Sequence, residues 1–207
     1  MLKVHHLNNS RSQRILFLLE ELGAPYEIVK YQRMQPVPFA PPELKKIHPL
    51  GKSPVITDGN RTIAESGAII EYIIDVYGKG RMKPKHGTDD YWKYVEWMHY
   101  AEGSAMLPLL MALYTGFPGV NADPLKPRIE SEIENNLSYM AQGIKGREFF
   151  VGKELTGADV NLLFVLEAAG TRVKPYPDLE KYVARLHARP AYKRAIEKGG
   201  EYALMSR

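Results

Sequence analysis

The stretch Ser53-Pro54-Val55-Ile56-Thr57-Asp58-Gly59-Asn60-Arg61-Thr62-Ile63-Ala64-Glu65-Ser66 decides how this chain begins to fold. Asp58-Gly59-Asn60 is turn chemistry, since glycine takes a positive φ without penalty and Asp and Asn bond to nearby backbone. Pro54 to Thr57 before it and Arg61 to Ala64 after it carry β-branched residues, so the turn predicts a hairpin. Ser66 to Tyr77 then places Ile69, Ile70, Ile73 and Ile74 on one side of a helix.

Upstream, Leu2 to His6 reads as a short strand. Ser12 to Leu22 reads as a helix, with Ile15, Leu16, Leu18, Leu19 and Leu22 at helical spacing and Gly23 to stop it. Tyr26 to Tyr31 alternates as a strand, Arg33 to Pro42 is a proline-dense loop, and Glu43 to Ile47 is a short helix. The order β-α-β-α-β-β-α wants a right-handed parallel βαβ unit closed by an antiparallel hairpin. That is a thioredoxin-like α/β plan.

Downstream the pattern changes. Gly78 to Gly87 offers little to bury and reads as a connector. The expected division is 1–80 for the α/β domain, 81–88 for the linker and 89–207 for an all-helical bundle. In the last part, Asp90 to Tyr114 reads as one long helix kinked at Pro108. Lys126 to Ile144 follows with Ile129, Ile133, Leu137 and Met140 on one face, then Ala158 to Ala169, Leu179 to Ala188 and Ala191 to Lys198.

Composition narrows the chemistry. The 207 residues contain no cysteine, which excludes a disulfide framework and any mechanism with a protein thiol as nucleophile. The net charge of +4 suits small anions as well as nucleic acid and selects neither. Met1 to Ile15 has no apolar h-region, and the run Ile15 to Leu19 is too short to span a bilayer, so a soluble, cytoplasmic protein is expected. The six histidines show no metal-ligand spacing, and no metal site is expected. There is no glycine-rich phosphate loop. Tyr91, Trp92, Tyr94, Trp97 and Tyr100 read as packing residues rather than base-stacking platforms, so nucleic acid is not expected as a partner.

Three stretches carry candidate chemistry. Ser10 with Gln13 fits a capping box at the first helix, while a hydroxyl at a helix N-terminus also suits a nearby anion. In His48-Pro49-Leu50-Gly51-Lys52-Ser53-Pro54, a cis Ser53–Pro54 bond turns the Ser53 backbone outward to pair with a peptide ligand, whereas a trans bond merely starts a strand. In Glu65-Ser66, Ser66 is an N-cap candidate. The same pair suits an α-amino acid head group, with the carboxylate on Ser66 and the ammonium on Glu65.

Taken in order, Ser10 to Arg14, Ala40 to Pro54 and Glu65 to Ile69 resemble the N-terminal domain of cytosolic glutathione transferases, in the serine-type bacterial and fungal branch. Phe150 to Asp159 resembles the family's helical core segment, in which Thr156 and Asp159 form a capping box. The resemblance implies that Ser53, before a cis Pro54, pairs with the cysteinyl part of glutathione. It gives the γ-glutamyl head to Glu65 and Ser66 and the glycyl carboxylate to Lys52. Ser10 takes the place of the hydroxyl that activates the thiol, with Asn9 and Ser12 as competitors. His48 stands where many members have asparagine, and no tyrosine ends the first strand.

The implied activity is conjugation of the glutathione thiolate to apolar electrophiles, with peroxidase activity toward organic hydroperoxides as an extension. The alternatives are a non-catalytic binding or assembly protein and an isomerase or dehalogenase on the same fold. A free thiol titrates near ~8.5, and lowering that by ~2 needs about 2.7 kcal/mol of preferential anion stabilisation. The electrophile pocket is expected between the domains, from Asn9, Tyr100, Met106, Leu107, Leu110 and Tyr114. Glu102 is placed near a neighbouring subunit or in solvent. The family implies a homodimer, with glutathione as co-substrate and no other cofactor.

Overall fold

The computed structural model describes residues 1–35 and 39–206. Part of the Arg33 to Pro42 loop, residues 36–38, therefore lies outside the described residues. The first compact unit comprises Met1–Lys83 and Leu186–Ser206. In it, β1 (Lys3–Leu7) leads into α1 (Ser12–Leu22), and Gly23 closes that helix at φ 65° by donating its N–H to the Leu19 carbonyl. β2 (Glu27–Tyr31) returns parallel to β1, and the short α2 (Leu44–Ile47) follows. The Asp58-Gly59-Asn60 turn joins β3 (Val55–Asp58) to β4 (Arg61–Ala64), and α3 (Ser66–Tyr77) ends the run.

The sheet order is β2-β1-β3-β4, with β1 and β3 antiparallel. This is the expected thioredoxin-like sheet. Its core is built from the residues that carried the periodic pattern: Ile15, Leu16, Leu18 and Leu19 of α1 and Ile69, Ile70 and Ile73 of α3 are fully buried. Burying a leucine or isoleucine side chain contributes about 1.5–3 kcal/mol, so this one layer supplies much of the unit's drive to fold.

The second unit, Pro84–Arg185, is helical throughout its regular elements. Thr88 caps α4 (Asp89–Tyr100) by accepting from the Tyr91 N–H at 3.2 Å. The helix does not run to Tyr114 with a kink at Pro108. It opens into a π-turn over Ala101–Ala105 and resumes as α5 (Met106–Thr115). The disturbance falls a turn before Pro108 because the proline has no N–H to give and its ring crowds the carbonyl four residues earlier. α6 (Lys126–Ile144) meets α4 where Gly143 faces Trp97; a side chain at 143 would fall 2.7 Å from the indole. α7 (Gly157–Ala169) is buried almost along its whole length, and α8 (Pro177–His187) closes the unit.

α9 (Pro190–Gly199) belongs to the first unit, although its sequence position puts it with the helices of the second. It lies on α1. Phe17 and Tyr192 meet edge to face at 5.4 Å, and Arg194 and Lys198 both bond to the buried Glu20 carboxylate. Arg189 pairs with Glu21 beside them. The connector is likewise partly tied to the first unit, where Arg81 donates to the Leu22 carbonyl at 2.7 Å and Lys83 pairs with Glu71. An amphipathic face in a sequence specifies that it will be covered and leaves open which neighbour covers it. Among the described residues no helix is long and apolar enough to cross a membrane.

Candidate active site

Strand register gathers three candidate stretches at one end of the sheet. His5 of β1 pairs with Val55, so one and two steps further the end of β1 runs beside Pro54 and Ser53. Val55 pairs with Ala64, so one step further Pro54 stands beside Glu65. The turn containing Ser10, the Ser53–Pro54 corner and the start of α3 therefore share one rim.

The turn after β1 is a dense polar network. The Ser10 hydroxyl oxygen accepts from the Ser12 N–H at 3.2 Å and lies 2.8 Å from the Ser12 hydroxyl. Ser12 Oγ lies 2.8 Å from His6 Nδ1, accepts from the Leu7 N–H and reaches the Leu7 carbonyl, both at 3.2 Å. His6, Ser10 and Ser12 are all buried. Burial first, and the charge of Lys30 second, hold the His6 pKa down to about 4, so the ring is neutral near pH 7. The expected Ser10–Gln13 capping box is not formed. α1 starts at Ser12 behind Arg11, and the buried Gln13 amide makes no hydrogen bond among the described residues. Ser10 falls one residue too early to cap, so its oxygen serves the Ser12 amide instead.

Asn8 and Asn9 are clamped from two directions. Arg33 donates to both of their carbonyls, at 3.1 and 2.8 Å, and its N–H bonds to Asn8 Oδ1 at 2.9 Å. Glu201 accepts from the side-chain amides of Asn8 and Asn9 at 3.3 and 3.2 Å, and the Ala203 N–H donates to Asn9 Oδ1. Asn9 sits at φ 51°, a region that asparagine tolerates better than most residues.

At the corner, the Ser53–Pro54 peptide bond is cis. The Ser53 hydroxyl donates to the His5 carbonyl at 2.9 Å, and Lys52 beside it is exposed. At the third stretch Ser66 is not the N-cap. It is the first helical residue, and Glu65 flanks it with φ 69°, ψ 122°. No side chain caps α3, so its first N–H groups face the rim without an internal acceptor from a cap. Ser66 is buried and Glu65 is exposed. A glutamate in this region of φ costs on the order of 1–3 kcal/mol, which marks the position as one held by its surroundings.

The apolar candidates lie in the second unit. Tyr100 and Leu107 line a groove of about 570 Å³ with Met111 and Tyr139. The Tyr100 hydroxyl donates to Asn136 Oδ1 at 2.7 Å, and burial pushes its pKa upward. Met106 is packed inside, Leu110 is half-buried and Tyr114 is exposed; none of these three lines the groove. Glu102 is half-buried in the π-turn. In the same unit Asp159 is wholly buried and accepts from the Phe150 and Thr156 N–H groups and the Thr156 and Tyr182 hydroxyls at 2.8–3.0 Å.

Comparison with known proteins gives this arrangement its family. The glutathione S-transferase N-terminal domain matches residues 1–75, and the glutathione S-transferase C-terminal domain matches residues 105–199. The chain is 35% identical to glutathione S-transferase 3 of Schizosaccharomyces pombe over 96% of its own length and 88% of the relative's. The chain belongs to the glutathione S-transferase family. A glutathione S-transferase crystal structure from Actinobacillus pleuropneumoniae is 35% identical, with a TM-score of 0.90 over 100% of this chain and 97% of that one. A Phanerochaete chrysosporium glutathione transferase, solved with oxidized glutathione, shares the fold at a TM-score of 0.80 and 23% identity, covering 100% and 97% of the two chains.

Within this family frame, the motifs that carried the sequence resemblance are the ones the register brings together: Ser10, Lys52, Ser53, Pro54, Glu65 and Ser66. The residues that hold the first turn in place had no such signal. Asn8, Arg33 and Glu201 are separated by up to 193 positions, and His6 stood among histidines that only lacked metal spacing.

Proposed function

We propose that this chain is a glutathione transferase that ionises the glutathione thiol and delivers it to electrophilic, largely apolar small molecules, with organic hydroperoxides as further substrates. The observation that carries this reading is the shared rim: a helix with no side-chain cap, a strained Glu65 and the Ser53–Pro54 corner stand beside the buried hydroxyl network that ends in Ser10.

Each part has a chemical task. The first N–H groups of α3 with the Ser66 hydroxyl take the γ-glutamyl carboxylate, and Glu65 takes its ammonium. The Ser53 backbone pairs with the cysteinyl residue as an added strand would, and Lys52 takes the glycyl carboxylate. Ser10 donates its hydroxyl hydrogen to the sulfur anion. Ser12 is less suited, being fully buried with its oxygen already engaged by His6, Leu7 and Ser10. Asn9 is less suited because its side chain is already held by Glu201 and Ala203. Glutathione is a co-substrate, and no other cofactor takes part. The working form is a cytoplasmic homodimer; a monomer by light scattering at micromolar concentration would contradict that part.

Glutathione conjugation against a panel of electrophiles, comparing wild type with Ser10→Ala, tests the reading. The variant is expected to lose about 100-fold in kcat, the scale of one positioned donor on a developing anion, with little change in the KM for glutathione. An unchanged kcat removes Ser10 from the chemistry.

A further inference from the structure

The hydroxyl of Ser10 does not stand alone. It ends a buried chain that runs back to the end of β1: His6 Nδ1 to Ser12 Oγ at 2.8 Å, then Ser12 Oγ to Ser10 Oγ at 2.8 Å. All three residues are nearly inaccessible, at 2%, 0% and 5% exposure. A backbone N–H, that of Ser12, donates to the same Ser10 oxygen. The charged group acting on the ring is Lys30 of β2. α1 presents Ser12 and the uncharged Gln13, and the end of α9 presents Gly199, where a side chain would fall 3.3 Å from His6 Nε2 and 2.5 Å from Gln13 Oε1. The Gly199 backbone faces the ring and works against burial and Lys30 by favouring the protonated form, while Nε2 makes no hydrogen bond among the described residues. The imidazole is thus boxed in, with its Nδ1 edge committed to Ser12.

We infer that His6 and Ser12 are positioning residues for Ser10, forming a directional hydrogen-bond chain that points the Ser10 hydrogen at the glutathione sulfur. The inference rests on the role given to Ser10 above. Its logic is donor arithmetic. A serine hydroxyl has one hydrogen to give and lone pairs to receive. When Ser10 gives its hydrogen to a thiolate, its oxygen is left to accept, and the donors beside it are the Ser12 N–H and the Ser12 hydroxyl. Ser12 gives its hydrogen to Ser10 only if it gives it neither to His6 nor to the Leu7 carbonyl, the longer of its contacts at 3.2 Å against 2.8 Å to Ser10. The neutral ring then carries its proton on Nδ1 and donates to Ser12. Every bond then runs toward the sulfur, Nδ1–H to Ser12, Ser12 to Ser10 and Ser10 to the anion, and each strengthens the next in a site of low dielectric. No proton leaves or enters the chain: the thiol gives its proton to bulk water, and the imidazole acts as an orienting donor and not as the base.

The test follows the thiolate directly, by its ultraviolet absorbance against pH in the protein saturated with glutathione. Ser12→Ala and His6→Leu are each expected to raise the apparent pKa of the bound thiol by about one pH unit, a tenfold loss of thiolate at a fixed pH below it. His6→Asn puts an amide near the place of Nδ1 and is expected to restore most of the ionisation. The KM for glutathione should stay within about twofold in all three. Ser10→Ala separates the two levels of the argument. If it leaves the thiol pKa unchanged, the role of Ser10 itself fails. If it raises the pKa while Ser12→Ala and His6→Leu do not, Ser10 stands and the chain is overturned. Nitrogen NMR of the wild-type ring in the glutathione complex needs no variant to fold. A proton on Nδ1 is expected there, and a proton on Nε2 would overturn the stated direction.

Discussion

Two helix N-termini in this protein begin with similar chemistry and end up opposite. Thr156 is the N-cap of α7, and Asp159 reaches back to the Thr156 N–H, so the capping box is complete. That carboxylate is fully buried and takes four protein donors. Burial pushes its pKa up, while those four bonds pull the other way. α3 starts at Glu65-Ser66, also an acid and a hydroxyl, yet no side chain caps it and Glu65 points to solvent at φ 69°. A helix that carries its own carboxylate is a closed structural joint. A helix that leaves its first amides open is ready for the carboxylate of something else.

The largest expected effect is at the closed end. Asp159→Ala removes the acceptor for four buried donors and should cost about 3–5 kcal/mol in chemical denaturation, the scale of breaking a buried charged network. Glutathione affinity of the protein that remains folded should be unchanged. A comparable loss of affinity would erase the distinction between the two ends.

Next is the buried ring beside the open end. The folded pKa of His6 is lowered from 6.5 to about 4, so between those pH values the unfolded chain binds the extra proton. Stability from this group is present above pH 6.5 and is lost as pH falls toward 4, by about 3 kcal/mol in all. The variant His6→Asn should show a flatter slope of unfolding free energy across that window. An identical slope would assign the acid sensitivity to other groups.

Glu65→Gln acts on the open end. It should weaken glutathione binding by about 10- to 100-fold, as expected for a charge-assisted bond worth about 1.5–3 kcal/mol, and leave the denaturation midpoint in place. Calorimetric titration reads this, and undiminished affinity would take the ammonium away from Glu65. The smallest effect sharpens the comparison most. Glu65→Gly should stabilise the fold by at most about 1 kcal/mol, because glycine accepts the positive φ, while still weakening glutathione binding. A loss of stability instead would mean that the Glu65 backbone is not strained.

Local elements were legible in the sequence where chemistry is local. Asp58-Gly59-Asn60 specified the hairpin, isoleucine spacing specified α3 to the residue, and Gly23 marked the end of α1. Pro108 marked a disturbance but not its place, since proline acts on the turn before it and the relief was a π-turn at Ala101–Ala105. Ser10-x-x-Gln13 fits a cap pattern as well as an anion-facing hydroxyl, and the cap does not form because the backbone enters the helix two residues later.

Legible along the chain alone is a set of motifs in order: the turns, the amphipathic faces, the Ser53–Pro54 and Glu65–Ser66 pairs and, with them, the glutathione transferase family. The tertiary structure alone decided which of these share a rim, because antiparallel register, and not spacing along the chain, sets Glu65 beside Pro54 and Pro54 beside the end of β1. It alone decided that α9 lies on α1, that Glu201 reaches Asn8 and Asn9, and that His6 meets Ser12. A single polar residue has no periodicity, so its partner becomes visible only when burial forces it to find one.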